Sequence, residues 1–284
     1  MRRYSRARGW VNGAWARRAL LLLFGLGLSL AVDAFWIEPA RLVVNRQELQ
    51  LPNWPSPLSG LRVALVSDLH VGSRHWGLTQ LHELVARVNA EQPDLILLGG
   101  DYVVDAQHVA AEPIAAELGQ LRAPLGVIAV LGNHDWWTNG PRIRTAFEAQ
   151  GIRVLDDEVR RVDARGKSFC VLGLRDEYAR NRSVSWQLSR ALPGLPLLVL
   201  VHEPDVFHEL GEQPSLTLAG HTHGGQVNLP WLGRLIVPSR FGQRYAAGHI
   251  VENGRHLYVT TGVGTSILPV RFGVPPEIAL LTLR

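Results

Sequence analysis

The residues best suited to chemistry stand directly behind short apolar runs. Asp68 and His70 follow Leu61–Val66, and Asp101 follows Leu95–Leu98 through two glycines. Asn133, His134 and Asp135 follow Val127–Leu131. His202 follows Leu197–Val201, and His221 and His223 follow Leu216–Ala219. Imidazoles and carboxylates suit Zn, Fe, Mn or Ni, and further oxygen ligands favour harder ions. In an extended chain residues i and i+2 point the same way, so Asp68 with His70, and His221 with His223, could each face one ion. Burying so many unpaired polar groups without an ion would cost on the order of several kcal/mol. A lone histidine carries no such argument. His75, His82, His108, His208, His249 and His256 therefore read as ordinary surface or core residues, as do most of the tryptophans.

The apolar runs read as strands, and their ends are where ligands bind in open α/β sheets. Between them, Leu81, Leu84, Val85 and Val88 keep a helical period over Thr79–Asn89, with Thr79 as the expected N-cap. Arg142–Gln150 reads as a helix stopped by Gly151. Val159–Val162 and Ser168–Leu172 read as a hairpin turning through Ala164-Arg165-Gly166-Lys167. Leu257–Thr261 and Ile278–Leu283 are the closing strands. The alternation predicts an α/β fold with covered sheets. Pro52, Pro55 and Pro57 make 38–60 read as a linker, leaving 61–284 as the folded domain.

Composition bounds the partners. The chain has 284 residues, 46% hydrophobic and 19% charged, which fits one large domain with a short appendage. Its net charge of +4 lies wholly in residues 1–40, where six arginines face Asp33 and Glu38. Removing these from the totals of 29 basic and 25 acidic residues leaves 23 of each beyond residue 40. A neutral domain argues against nucleic-acid binding, which needs a basic face. The single cysteine, Cys170, reads as a small buried strand residue. Nothing in the pattern specifies an oligomeric state.

Residues 1–18 form a basic N-terminal segment, and 19–37 an apolar one interrupted by Asp33. A spanning helix needs roughly 20 mostly apolar residues. Three readings fit: an uncleaved signal anchor, a signal peptide cleaved near Ser29-Leu30-Ala31, or a buried helix of a soluble fold. As an anchor it would attach the protein to the cytoplasmic membrane. The arginines would then hold the N-terminus in the cytoplasm and place the following domain outside, the cytoplasmic face being the alternative.

The motif order Asp-x-His, Gly-Asp, Gly-Asn-His-Asp, His, Gly-His-x-His resembles the calcineurin-like metallophosphoesterase superfamily over about 61–283. His202-Glu203-Pro204-Asp205, Gly220–Gln226 and Pro275-Pro276-Glu277-Ile278 resemble a bacterial, membrane-associated phosphodiesterase branch of it. The resemblance implies a β-sandwich of two mixed sheets flanked by helices. It implies two divalent cations, drawn from Mn, Fe, Zn, Mg, Co or Ni. Asp68, His70 and His223 would hold one, Asn133, His202 and His221 the other, and Asp101 would bridge them. His134 would serve the leaving group, oriented by Asp135. The family often has a second acid three residues after the bridging one; here the next is Asp105, four on.

The implied reaction is hydrolysis of a phosphoester by a water activated between cations roughly 3.5–4 Å apart. A membrane-associated phosphodiesterase is the first reading. A pyrophosphohydrolase of the UDP-2,3-diacylglucosamine type, as in lipid A synthesis, is the second. It is favoured by the apolar segment and by Trp136 and Trp137, which could line a pocket for a lipidic substrate. The third is a non-catalytic metal-binding scaffold.

Overall fold

A computed structural model of the chain describes residues 5–105 and 110–284, with side chains from Trp15 onward. It opens on a long helix, α1 (Ser5–Val32), followed by a π turn over Asp33–Ile37 and a 3₁₀ turn over Glu38–Ala40. Strand β1 (Val43–Leu49) precedes β2 (Leu61–Val66). Helix α2 (Leu78–Ala90), β3 (Leu95–Leu98), α3 (Ala111–Leu118) and β4 (Val127–Ala129) follow in turn. Helix α4 (Asn133–Ala149) is interrupted at Asn139, just before Pro141, and leads to β5 (Arg153–Val154). The second half contains β6 (Glu158–Ala164), β7 (Lys167–Gly173), α5 (Val184–Leu188), β8 (Leu197–Leu200) and β9 (Leu216–Ala219). It ends with β10 (Gly248–Glu252), β11 (Arg255–Val259) and β12 (Glu277–Leu283).

The strands form two mixed sheets, ordered β1-β12-β2-β3-β4-β5 and β10-β11-β9-β8-β7-β6. Strands β2 to β5 run parallel, as do β7, β8, β9 and β11, so their carboxyl ends share one edge. The two-residue period of β2 turns Leu61, Val63 and Leu65 toward Phe169, Val171, Leu198 and Leu216 of the other sheet. Ala64 and Val66 face the opposite way, into a layer with Leu84, Val88, Ile114 and Phe147 of the helices. A third cluster, including Cys170, Val199 and Phe207, covers the outer face of the second sheet. Every one of these residues is buried, so the site edge rests on rigid, close-packed layers. Cys170 is accordingly a core residue of β7.

Three expectations need correction. The segment 38–60 is not simply a linker: β1 lies within it and pairs in parallel with β12, from Val43↔Glu277 to Leu49↔Leu283. Its half-polar sequence VVNRQEL suits an edge strand with one wet face. The cap of α2 is Gly77, not Thr79; the Gln80 side chain accepts the Gly77 amide at 3.1 Å. A buried soluble-fold helix is excluded for 19–37, because almost every residue from Ala19 to Val32 is exposed. Its span from Trp15 to Ala40 is long and apolar enough to cross a membrane.

Candidate metal centre

The strand ends bring the singled-out residues together. Asp68, His70 and His223 form one cluster of donor atoms, all within 4.8 Å of one another, and Asp101, His202 and His221 form another. Asp101 joins them through a single oxygen. Its Oδ2 lies 3.6 Å from His70 Nε2 and 3.2 Å from His202 Nε2. Its Oδ1 is engaged elsewhere, accepting the His134 amide at 2.9 Å. Within the clusters, His70 and His223 face each other Nε2 to Nε2 at 3.1 Å, and His221 Nδ1 approaches His202 Nε2 at 3.2 Å. Asn133 opens α4 next to His134, and its buried Oδ1 has no hydrogen-bond partner among the described residues.

The backbone achieves this convergence in a way the extended-chain argument does not describe. Asp68, His70, Asp101, His221 and His223 all have positive φ, between 42° and 69°. Non-glycine residues rarely enter this left-handed region, and those that do cost about 1–3 kcal/mol each and cluster at functional sites. The side chains thus meet through sharp kinks after the strands, not through a two-residue period. Glycines make room for the crowding. A Cβ at Gly132 would lie 2.3 Å from Asp101 Oδ1, and one at Gly220 would lie 2.5 Å from Asp68 Oδ2.

Burial and neighbouring charge set the protonation of the donors. Burial is the largest influence on Asp68 and raises its carboxyl to about 6, with Asp101 adding to the shift and His202 opposing it. Burial lowers His70 to about 3 and His221 to about 4, and puts His223 well below the ordinary imidazole value. Burial also opposes a charge on His202, yet Asp101, Asp68 and Glu203 outweigh it and raise that imidazole well above the usual range. Asp101 is held ionised in spite of burial, chiefly by His202 and His70. Neutral imidazoles and carboxylates are the forms that bind metal. The His202 Nδ1–H donates to the Gly99 carbonyl at 2.8 Å, which turns Nε2 toward the centre. The orphaned Asn133 Oδ1 and the packed N and O donors fit divalent cations.

The structure reassigns Asp135. It does not orient His134. Its Oδ2 accepts the amides of Asp101 at 2.8 Å and Gly132 at 2.9 Å, and its Oδ1 that of Tyr102 at 2.9 Å. It is a buried clamp joining two strand-end loops. His134 is oriented instead by its Nδ1–H donating to the Val104 carbonyl at 3.0 Å, leaving Nε2 as the free ring nitrogen. The His134 ring lies 4.7 Å from the His70 ring, and one of its nitrogens is within the donor distance of His70 and Asp101.

The tryptophans diverge. Trp136 packs against the helical layer, with Arg175 5.2 Å from its ring. Trp137 is 56% exposed and its ring lies 4.7 Å from that of His134, with Tyr178 beside it. His82 pairs with Glu117, and His249 with His256, away from the centre. His108 lies outside the described residues.

Arg271 escaped the sequence reading because nothing around it marks a site. It is fully buried and donates to the carbonyls of Thr261, Gly262, Gly264 and Val274. The loop it gathers lies directly behind Asp68: the Gly264 amide donates to the Asp68 carbonyl at 2.7 Å.

Comparison with known proteins shows the family. The sequence profile of the calcineurin-like phosphoesterase family matches residues 61–233. An uncharacterized metallophosphoesterase of Bacillus subtilis, YkuE, is 32% identical over 96% of this chain and 94% of its own length. The phosphodiesterase YaeI of Escherichia coli is 33% identical over 78% of this chain and 82% of its own. The UDP-2,3-diacylglucosamine pyrophosphatase LpxG of Chlamydia trachomatis is 27% identical over 86% of this chain and 90% of its own. The chain belongs to the calcineurin-like phosphoesterase family and is a metal-dependent phosphoester hydrolase.

Proposed function

We propose that the protein is a membrane-attached phosphodiesterase with two divalent cations, its catalytic domain outside the cytoplasmic membrane. Asp68, His70 and His223 would hold one cation, Asn133, His202 and His221 the other, and Asp101 both. The observation that carries this reading is the single Asp101 oxygen shared between His70 and His202. Bound cations supply Lewis-acid activation of water and neutralise charge on the phosphoryl group.

The chain's own groups do the rest. The Asp135 carboxylate fixes the Asp101 and Gly132 loops relative to each other through backbone amides. His134, held at Nδ1 by Val104, presents Nε2 to the substrate. As the imidazolium it donates Nε2–H to the ester and passes that proton to the leaving alkoxide. The ring is then neutral with its remaining proton on Nδ1, the tautomer the Val104 carbonyl accepts. Trp137 offers an apolar wall beside this ring, while Trp136 packs into the core.

The second reading, cleavage of the pyrophosphate of a nucleotide-lipid such as UDP-2,3-diacylglucosamine, is supported by the LpxG relative and by exposed Trp137. The arginine excess before Ala19 speaks against it, since it holds the catalytic domain away from a cytosolic substrate. The complete donor set favours catalysis over the scaffold reading.

The test is hydrolysis by the purified full chain, stripped and reloaded with Mn, Mg, Zn, Fe, Co or Ni. An aryl phosphodiester, an aryl monoester and a nucleotide-lipid are the substrates. Metal-dependent turnover with preference for the diester supports the proposal. Full activity in stripped protein refutes it, and preference for the nucleotide-lipid selects the second reading. Protease access to the domain in intact spheroplasts tests topology; protection until lysis reverses it.

A further inference from the structure

Two loops beside the metal centre expose large apolar side chains that the chemistry does not use. In the first, 229–237, Trp231 is fully exposed and Ile236 is 81% exposed, with Leu232 and Leu235 also in the open. In the second, 266–268, Ile267 is fully exposed and Leu268 largely so. Isolated apolar residues on a surface are ordinary, but two adjacent loops of them mark a contact surface.

Hydrogen bonds hold these loops side by side. The Gln226 side chain donates to the Leu268 carbonyl at 3.1 Å and accepts the Ser266 amide at 2.7 Å. The Phe272 amide donates to the Gln226 carbonyl, and the Asn228 amide to the Phe272 carbonyl. The first loop also touches functional backbone. The Arg234 side chain donates to the Gly224 carbonyl at 2.8 Å, next to His223. A Cβ at Gly225 would lie 2.6 Å from the Ile236 carbonyl, so the first loop folds directly against the strand end that carries the histidines.

The chain that follows the second loop is fastened to the end of the apolar segment. The Arg271 amide donates to the Ala34 carbonyl at 2.9 Å. The Val274 amide donates to buried Glu38 at 2.6 Å. At this junction Trp36 is exposed, with the Arg74 guanidinium 5.7 Å from its ring. An aromatic ring paired with a cation at the end of an apolar helix is the composition of a membrane–water boundary. The apolar loops therefore continue a surface that already belongs at lipid depth.

We propose that loops 229–237 and 266–268 insert into the bilayer that α1 enters, docking the catalytic domain on the membrane with its metal centre at the lipid surface. The substrates best served are phosphoesters whose apolar chains remain in that bilayer. This rests on α1 as a membrane anchor, not on the two-metal chemistry.

The experiment uses full-length protein reconstituted in vesicles of phosphatidylethanolamine and phosphatidylglycerol. Native Cys170 is fully buried, so single nitroxide labels can be attached at Trp231→Cys, Ile267→Cys, Leu23→Cys and Val251→Cys. Collision with oxygen and with a water-soluble nickel chelate then reports depth. Labels at 231 and 267 should read as lipid-immersed like that at 23, and the label at 251, on the β10–β11 hairpin, as aqueous. If 23 reads as aqueous, the anchor fails and the proposal with it. If 23 is immersed while 231 and 267 are aqueous, or shielded from both reagents by a protein partner or a second copy, the proposal alone is overturned. A double Trp231→Ser, Ile267→Ser variant should hydrolyse a vesicle-embedded phosphodiester at least tenfold more slowly and a soluble aryl diester at the wild-type rate. Equal losses on both substrates would also overturn it.

Discussion

The two halves of the proposed centre share Asp101 but stand in different electrostatic fields. The half built from Asp68, His70 and His223 backs onto Arg271, whose charge helps to lower both imidazoles. The half built from Asn133, His202 and His221 faces Glu203, which favours a positive charge on both of its imidazoles, and Asp205, which does so at His221. The donors differ in one place, the carboxylate of Asp68 against the neutral amide of Asn133, and the surrounding charge runs in the opposite sense. Cation affinity depends on that surrounding charge as well as on ligand count. Arg271 offsets the extra carboxylate of Asp68, and with Glu203 and Asp205 acting on the other side the half beside Glu203 is expected to hold its cation more tightly.

The most severe way to break this comparison is to remove what the halves share. Asp101→Ala is expected to lose both cations and reduce hydrolysis to background, read by elemental analysis and turnover. A variant that keeps one full equivalent would show the halves to be independent. In the proposed assignment His134 belongs to neither half, so His134→Ala should retain both cations and lower kcat by about 100-fold. Loss of metal in that variant would make His134 a ligand. A sharper test compares single-half variants. His223→Ala leaves the half beside Glu203 and His221→Ala leaves the half beside Arg271; the former should bind its remaining cation about tenfold tighter by competition with a chelator. Equal affinities would remove the electrostatic distinction. The smallest effect is expected for Glu203→Gln, which keeps an acceptor for the Glu177 amide but removes the charge. It should weaken that half by about fivefold, the scale of one partly screened charge.

What could be read from sequence follows the physics of burial. Leu61–Val66, Leu95–Leu98 and Leu216–Ala219 coincide with strands because each is an apolar run packed on both faces. β1 and β10 escaped notice because edge strands with a wet face carry polar residues, as in VVNRQEL and GHIVE. The convergence of the donor residues was legible, since five strand ends each carried one. Their left-handed backbone was not, because aspartate and histidine give no sign of positive φ. Asp135 was misjudged for a related reason: two of its amide partners, Asp101 and Tyr102, lie more than 30 residues before it. Arg271 was invisible because its partners are carbonyls, which every residue has.

The placement of β12 between β1 and β2 governs the order of assembly. Asn45 on β1 donates to Glu277 beside the start of β12, across 232 positions of chain. Loop closure over such a separation is entropically slow, so both early strands wait with open edges while the intervening chain appears. Open edges recruit other strands, and a chain held at a membrane brings copies into proximity. Starting the chain at Pro52 would keep every proposed ligand but leave β12 without β1 as a neighbour. Such a chain is expected to misassemble more readily than the full one, even where its finished centre is intact.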